Sequence, residues 1–113
     1  MKLELKENMY YRTYSGFINK IISIKDYNER EYLLNGFYIN KKGTIKKARY
    51  NIIDILEVGD YVNGNPVCII KEDEHNRKWI YTDSNYKYGY LEEDIKSILT
   101  HEQMEQMAYK VGE

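Results

Sequence analysis

The chain has 113 residues, 42% of them hydrophobic, enough for one ordinary domain or two very small ones and too apolar for a disordered tail. No apolar run approaches the ~18 residues of a membrane helix, the opening MKLELKENMYY lacks the apolar core of a secretory signal, and the one cysteine, Cys68, has no internal partner for a disulfide, so a soluble cytoplasmic protein is expected. The net charge of −1 conceals a division into a basic half, 1–56, with 11 Lys/Arg against 6 Asp/Glu (+5), and an acidic half, 57–113, with 6 against 12 (−6).

In chain order, MYYRTYSGFINKIISI (residues 9–24) reads as a hairpin. Tyr10, Arg12 and Tyr14 alternate with Tyr11 and Thr13, Ser15-Gly16 supplies the turn, and a β-branched arm follows. EYLLNGFYIN places Asn35-Gly36 between two apolar arms, the strongest short-range hairpin signal. KKGTIKKARY adds a glycine turn and a basic strand, and NIIDIL is a short strand or one helical turn. EVGDYVNGNPVCIIKE is a third hairpin, turning at Asn63-Gly64, with Pro66 opening the second arm where a missing donor is tolerated. A charged loop, KEDEHNR, precedes strand KWIYTD, turn SN and strand YKYGYL, and EEDIKSIL ends the sheet. Thr100-x-x-Gln103 is a capping box that starts a helix running to about Ala108, with Met104, Met107 and Ala108 as its apolar face and Gly112 as a stop or the start of a tail.

The two halves resemble each other weakly. Tyr11 aligns with Val62, Ile21-Ile22 with Ile69-Ile70, and Ile52, Ile55 and Leu56 with Ile95, Ile98 and Leu99. The expected fold is therefore mainly β, two small SH3-like barrels or half-barrels packed in tandem with a short C-terminal helix.

Several chemistries lack their signatures. His75 and His101 have no Cys/His spacing of a zinc site, so no metal is expected. VGDYVNGN has too few glycines to cradle a phosphate. Cys68 in an alternating apolar strand reads as a small buried hydrophobe, and His101 beside a positive helix end reads as a surface residue. No cofactor and no catalytic residue are assigned. Three patches remain as binding candidates. Lys46, Lys47 and Arg49 form a basic strand, with Lys47 and Arg49 on one face. Tyr10, Arg12 and Tyr14 share a strand face that could stack a base and pair a phosphate, or form a half-buried edge strand. Trp79 with Tyr86, Tyr88 and Tyr90, all on one side of a strand, could form an aromatic interaction surface or the outer wall of the core. Thirteen tyrosines against two phenylalanines and one tryptophan suit half-wet strands and binding surfaces alike.

NIIDILEVGDYVNGNPV, taken with IKSILTHEQMEQMAYKVGE, resembles a group of small proteins from phages and prophages of clostridia and related Gram-positive bacteria. These carry an NIIDLIEVGDYVNG-like centre and an IKSIVTKEQFE…YKV-like end. The resemblance covers the second half well and the first half loosely, and it transfers no functional residue. It implies a setting inside a bacterial host cell, in which small proteins block host defences, as anti-CRISPR proteins do. The expected function is a non-enzymatic phage-type binding protein that inhibits a host defence factor such as a CRISPR nuclease by occupying a protein or nucleic-acid surface. The alternative is a protein that binds and sequesters a nucleotide or nucleic acid through the Tyr/Arg and Lys faces of the N-terminal half. The acidity is too low for DNA mimicry by the whole surface.

Overall fold

The computed structural model describes residues 4–108, and the chain divides into two compact units, Met1–Ile55 and Leu56–Glu113. The first unit holds β1 (Tyr10–Thr13), β2 (Ile18–Lys20), β3 (Ile24–Asp26), β4 (Glu31–Leu34), β5 (Phe37–Asn40) and β6 (Ile45–Arg49), then a 3-10 turn over Ile52–Ile55. The second holds β7 (Tyr61–Val62), β8 (Asn65–Pro66), β9 (Ile69–Glu72), β10 (Lys78–Tyr81) and β11 (Gly89–Tyr90), a 3-10 turn over Glu92–Asp94, β12 (Ile98–Leu99) and helix α1 (His101–Met107).

The architecture is mainly β, four small antiparallel three-stranded sheets and one C-terminal helix, with no closed barrel among the described residues. The strand order is the same in both units. The first strand lies between the second and the last (β2-β1-β6, β8-β7-β12), and the three between them form a meander (β3-β4-β5, β9-β10-β11). Tyr11 and Val62 occupy matching places: Tyr11 faces Asn19 and Ala48, Val62 faces Asn65 and Ile98, and both are buried. The alignment of Ile52, Ile55 and Leu56 with Ile95, Ile98 and Leu99 does not correspond to the topology. The counterpart of β12 in the first unit is β6, and Ile52–Ile55 is a turn that follows β6.

Two Asn-Gly turns organise the units. Asn35 and Asn63 have φ of 49° and 52°, and their glycines 85° and 84°, the doubly left-handed turn that matches strand twist. Each asparagine also clamps a neighbouring segment in the same way. Asn35 Oδ1 accepts from the Ile22 and Ser23 N–H (2.8 and 3.1 Å), and its Nδ2 donates to the Lys20 carbonyl (2.8 Å). Asn63 Oδ1 accepts from Lys96 and Ser97 (2.7 and 3.1 Å), and its Nδ2 donates to Asp94 (2.8 Å).

The core of the first unit gathers Met9, Tyr11, Ile21, Leu34, Ile45 and Ala48. In the second, Leu56, Val62, Val67 and Ile80 are buried together with two polar residues, Asp60 and Thr100. Burying each aliphatic side chain is worth ~1.5–3 kcal/mol. Pro66 lies on the edge strand β8, as its missing donor requires. The capping box forms as expected, with Thr100 Oγ1 accepting from the Gln103 N–H (3.3 Å) and Gln103 Oε1 accepting from the Thr100 N–H (3.1 Å). The apolar helix face does not become core: Met107 is 73% exposed and no residue of α1 is fully buried. Gly112 lies outside the described residues. No helix among the described residues is long and apolar enough to cross a membrane.

Candidate ligand-binding cleft

The site is built on the β9–β10–β11 meander from two aspartate-centred turns. Between β9 and β10, Asp73 Oδ1 accepts from the His75 and Arg77 N–H groups (2.8 and 3.0 Å). Its Oδ2 accepts from Arg77 Nε (3.1 Å) and Trp79 Nε1 (2.9 Å). One carboxylate thus shapes the turn and fixes the indole. The Trp79 bond first, then the backbone bond from Arg77, hold the Asp73 carboxyl well below the usual carboxylate range. Between β10 and β11, Asp83 accepts from the N–H groups of Asn85 (3.1 Å), Lys87 (2.9 Å) and Tyr88 (2.9 Å). These bonds, led by that of Tyr88, depress its pKa as well.

The Asp83 turn leaves Tyr86 at φ 59°, a left-handed conformation that is costly for an aromatic residue and recurs at functional sites. Its ring stands edge-on to Tyr81, with centroids 4.9 Å apart and planes at 74°. Trp79 and Tyr81, two residues apart on β10, lie nearly parallel at 19° with centroids 6.1 Å apart. Gly89 makes this possible. It faces Tyr81 across the ladder, and a Cβ there would sit 2.8 Å from Tyr81 Cε1 and 3.1 Å from Trp79 Cε3. The result is a cleft of about 450 Å³ lined by these three rings and by Lys71, Glu72, Asp73 and Glu74. The rings already meet cations of the chain. Arg77 Cζ lies 5.9 Å from the Trp79 centroid, and Lys71 Nζ lies 5.3 Å from that of Tyr86.

The expected patches fare differently. Trp79 and Tyr86 come together in the cleft. Tyr88 and Tyr90 do not share their face, because the Asp83 turn replaces the first half of the expected strand. Tyr88 is 58% exposed in the turn, and Tyr90 is half-buried opposite Ile80. The face expected from Tyr10, Arg12 and Tyr14 does not form. Arg12 is fully buried, and its Nη1 donates to the Ile55 carbonyl (3.1 Å). The register against β6 shifts between Arg12 and Thr13, β1 ends at Thr13, and Tyr14 lies in the turn that follows rather than on the strand face. Tyr10 is half-buried, with Lys20 Nζ 5.9 Å from its ring centroid. On β6, Lys46 and Lys47 are half-buried, Lys47 stands opposite Arg12, and exposed Arg49 donates to the Ala48 carbonyl (2.8 Å).

Two further expectations are corrected. Cys68 is exposed in the link between β8 and β9, outside the alternating strand. His101 is half-buried rather than on the surface. Its Nε2 lies 2.7 Å from Glu57 Oε1 and 3.5 Å from Glu102 Oε1, so carboxylates offset the positive helix end. The donor atoms of Glu57, His101 and Glu102 lie within 4.8 Å of one another, close enough to hold a cation. The 2.7 Å contact is also of hydrogen-bond length, and it ties the start of α1 to the Glu57–Asp60 turn. That turn is closed by buried Asp60, which accepts from the N–H groups of Glu57 (2.7 Å) and His101 (2.9 Å).

Sequence reasoning left Tyr81 out of the site and read Asp73, within KEDEHNR, as part of a charged loop. The Trp79-x-Tyr81 alternation was a usable signal for Tyr81, whereas Glu57 and His101 are 44 residues apart and share no local pattern. Compared with known proteins, the chain matches no family model, no curated protein and no solved structure.

Proposed function

We propose that this chain is a non-enzymatic binding protein of the phage type, built from two SH3-like units, that inhibits a host defence factor such as a CRISPR nuclease by seating the cleft of its second unit on a protein surface. The observation that carries the binding role is the cleft itself: three aromatic rings, each braced by a neighbour, gathered in a concavity with acidic residues in its lining. Rigid aromatic anchors in a desolvated pocket dominate protein recognition, and left-handed Tyr86 is the kind of strained residue that binding sites retain. The repeated strand order supports the SH3-like reading. In the second unit the last strand returns, after a 3-10 turn, to pair with the first, as in a small barrel opened along one seam. The defence setting is supported by the resemblance of residues 51–67 and 95–113 to clostridial phage proteins.

The test pairs capture with protection. The tagged protein and its Trp79→Ala variant are expressed in a defence-positive clostridial host or a relative. Subunits of a defence complex are expected with the parent protein and not with the variant, and plaque counts are expected to rise only with the parent. Equal capture by both proteins together with unchanged plaque counts would overturn the proposal.

A further inference from the structure

Within the reading of the cleft as a protein-binding site, we propose that its ligand is the guanidinium of an arginine side chain presented by the partner. The shape asks for a planar group. Trp79 and Tyr81 form a pair of rings within 19° of parallel, against which a flat cation can lie, and Tyr86 stands at 74° to Tyr81. At about 450 Å³ the cleft falls in the ~300–1,000 Å³ range of specific ligand sites. The lining includes Glu72, Asp73 and Glu74 with Lys71, and Arg77, beside the Trp79 ring, is paired with Asp73, which leaves Glu74 to meet an incoming cation. Asp73 is committed to the turn and the indole, and Glu72 stands opposite Lys78 on the sheet face away from Trp79, while Glu74 is exposed and able to receive a donor fork. That combination of stacking plane and carboxylate suits a guanidinium better than a compact, strongly hydrated ammonium. Arg77, 5.9 Å from the Trp79 centroid, shows within the chain that the ring accepts such a group.

Trp79 is the only tryptophan, so its emission reports on the cleft of the full-length protein without a label. The titrants are a capped Gly-Arg-Gly-Arg-Gly peptide, its lysine and citrulline counterparts, and tetramethylammonium chloride. The arginine peptide is expected to give a saturable change with a Kd about tenfold below that of the uncharged citrulline peptide, and below that of the lysine peptide, since tenfold is the worth of one good cation–ring contact. Its affinity should fall as salt rises. Tyr86→Ala and Glu74→Gln should each weaken binding about fivefold, the latter without moving the urea unfolding curve. Equal affinity for arginine and citrulline, tetramethylammonium competing as well as the arginine peptide, or no saturable change with any titrant would each overturn the inference. If Trp79-dependent capture of a defence subunit succeeds while the arginine peptide is not preferred, the protein-binding role stands and the arginine assignment falls.

Discussion

Single side chains with several backbone partners do much of the local structuring. Asn63 joins a left-handed backbone to three side-chain bonds across to residues 94–97. At ~0.5–1.5 kcal/mol net per bond, and with water able to replace part of them, Asn63→Gly is expected to cost about 2 kcal/mol. Asn63→Ala should cost about 1 kcal/mol more because the left-handed turn is then strained; urea unfolding of both variants measures the two contributions separately. Asp73 makes a different prediction. Its pKa is lowered in the folded protein, so its contribution is fully present above the ordinary carboxylate value and is lost only as the pH falls through the lower folded value. Trp79 emission should therefore hold steady from pH 7 down past the ordinary 3.8, and Asp73→Asn should shift that emission already at pH 7. A parent transition centred at or above 3.8 would contradict the Asp73–Trp79 bond. The clamp made by Asn63 could not be read from its neighbours in sequence, because its partners lie at 94–97, whereas the partners of Asp73 lie within six positions of it.

Turns and caps were the legible part of the elements. Both Asn-Gly hairpins, the Ser15-Gly16 turn and the Thr100 capping box are local chemistry, and each forms where its residues stand. Thr100→Ala removes the cap of α1 and is expected to cost about 1 kcal/mol, whereas Thr100→Ser, which keeps the hydroxyl, should retain most of the stability; far-ultraviolet circular dichroism with thermal melts compares them. Face assignments were legible only where a strand stayed regular. On β1 both Tyr11 and Arg12 are buried, next to a register shift that passes over Lys46 of β6, and one aspartate-centred turn dispersed Tyr86, Tyr88 and Tyr90. Alternation is a statement about uninterrupted pleating, and side-chain acceptors that pull backbone amides out of the ladder are invisible to it. For the same reason Gly89 reads in the sequence as a weak point of a strand, whereas in the structure it is the clearance under two aromatic rings.

At the scale of the whole molecule the two units repeat a strand order but differ in what stabilises it. In the first unit the strands are three to five residues long, and eight hydrophobic residues are buried. In the second, β7, β8, β11 and β12 have two residues each, and the buried hydrophobics number four among the described residues. Residues 56–113 expressed alone should accordingly unfold at lower urea than residues 1–55, as paired equilibrium curves would show. The charge division at residues 56–57 falls within one position of the boundary between the units. The short strands have a consequence for amide hydrogen exchange. Slowly exchanging amides in the first unit are those bonded to strand carbonyls, which do not titrate. In the second unit, the amides of Glu57 and His101 rest on the Asp60 carboxylate, those of His75 and Arg77 on Asp73, and those of Lys87 and Tyr88 on Asp83. The protection of the amides on Asp73 and Asp83, whose pKa values are lowered, should fall only once the pH drops below the ordinary carboxylate range and neutralises those acceptors. The β9–β11 meander then opens toward solvent deuterium while the first unit remains closed.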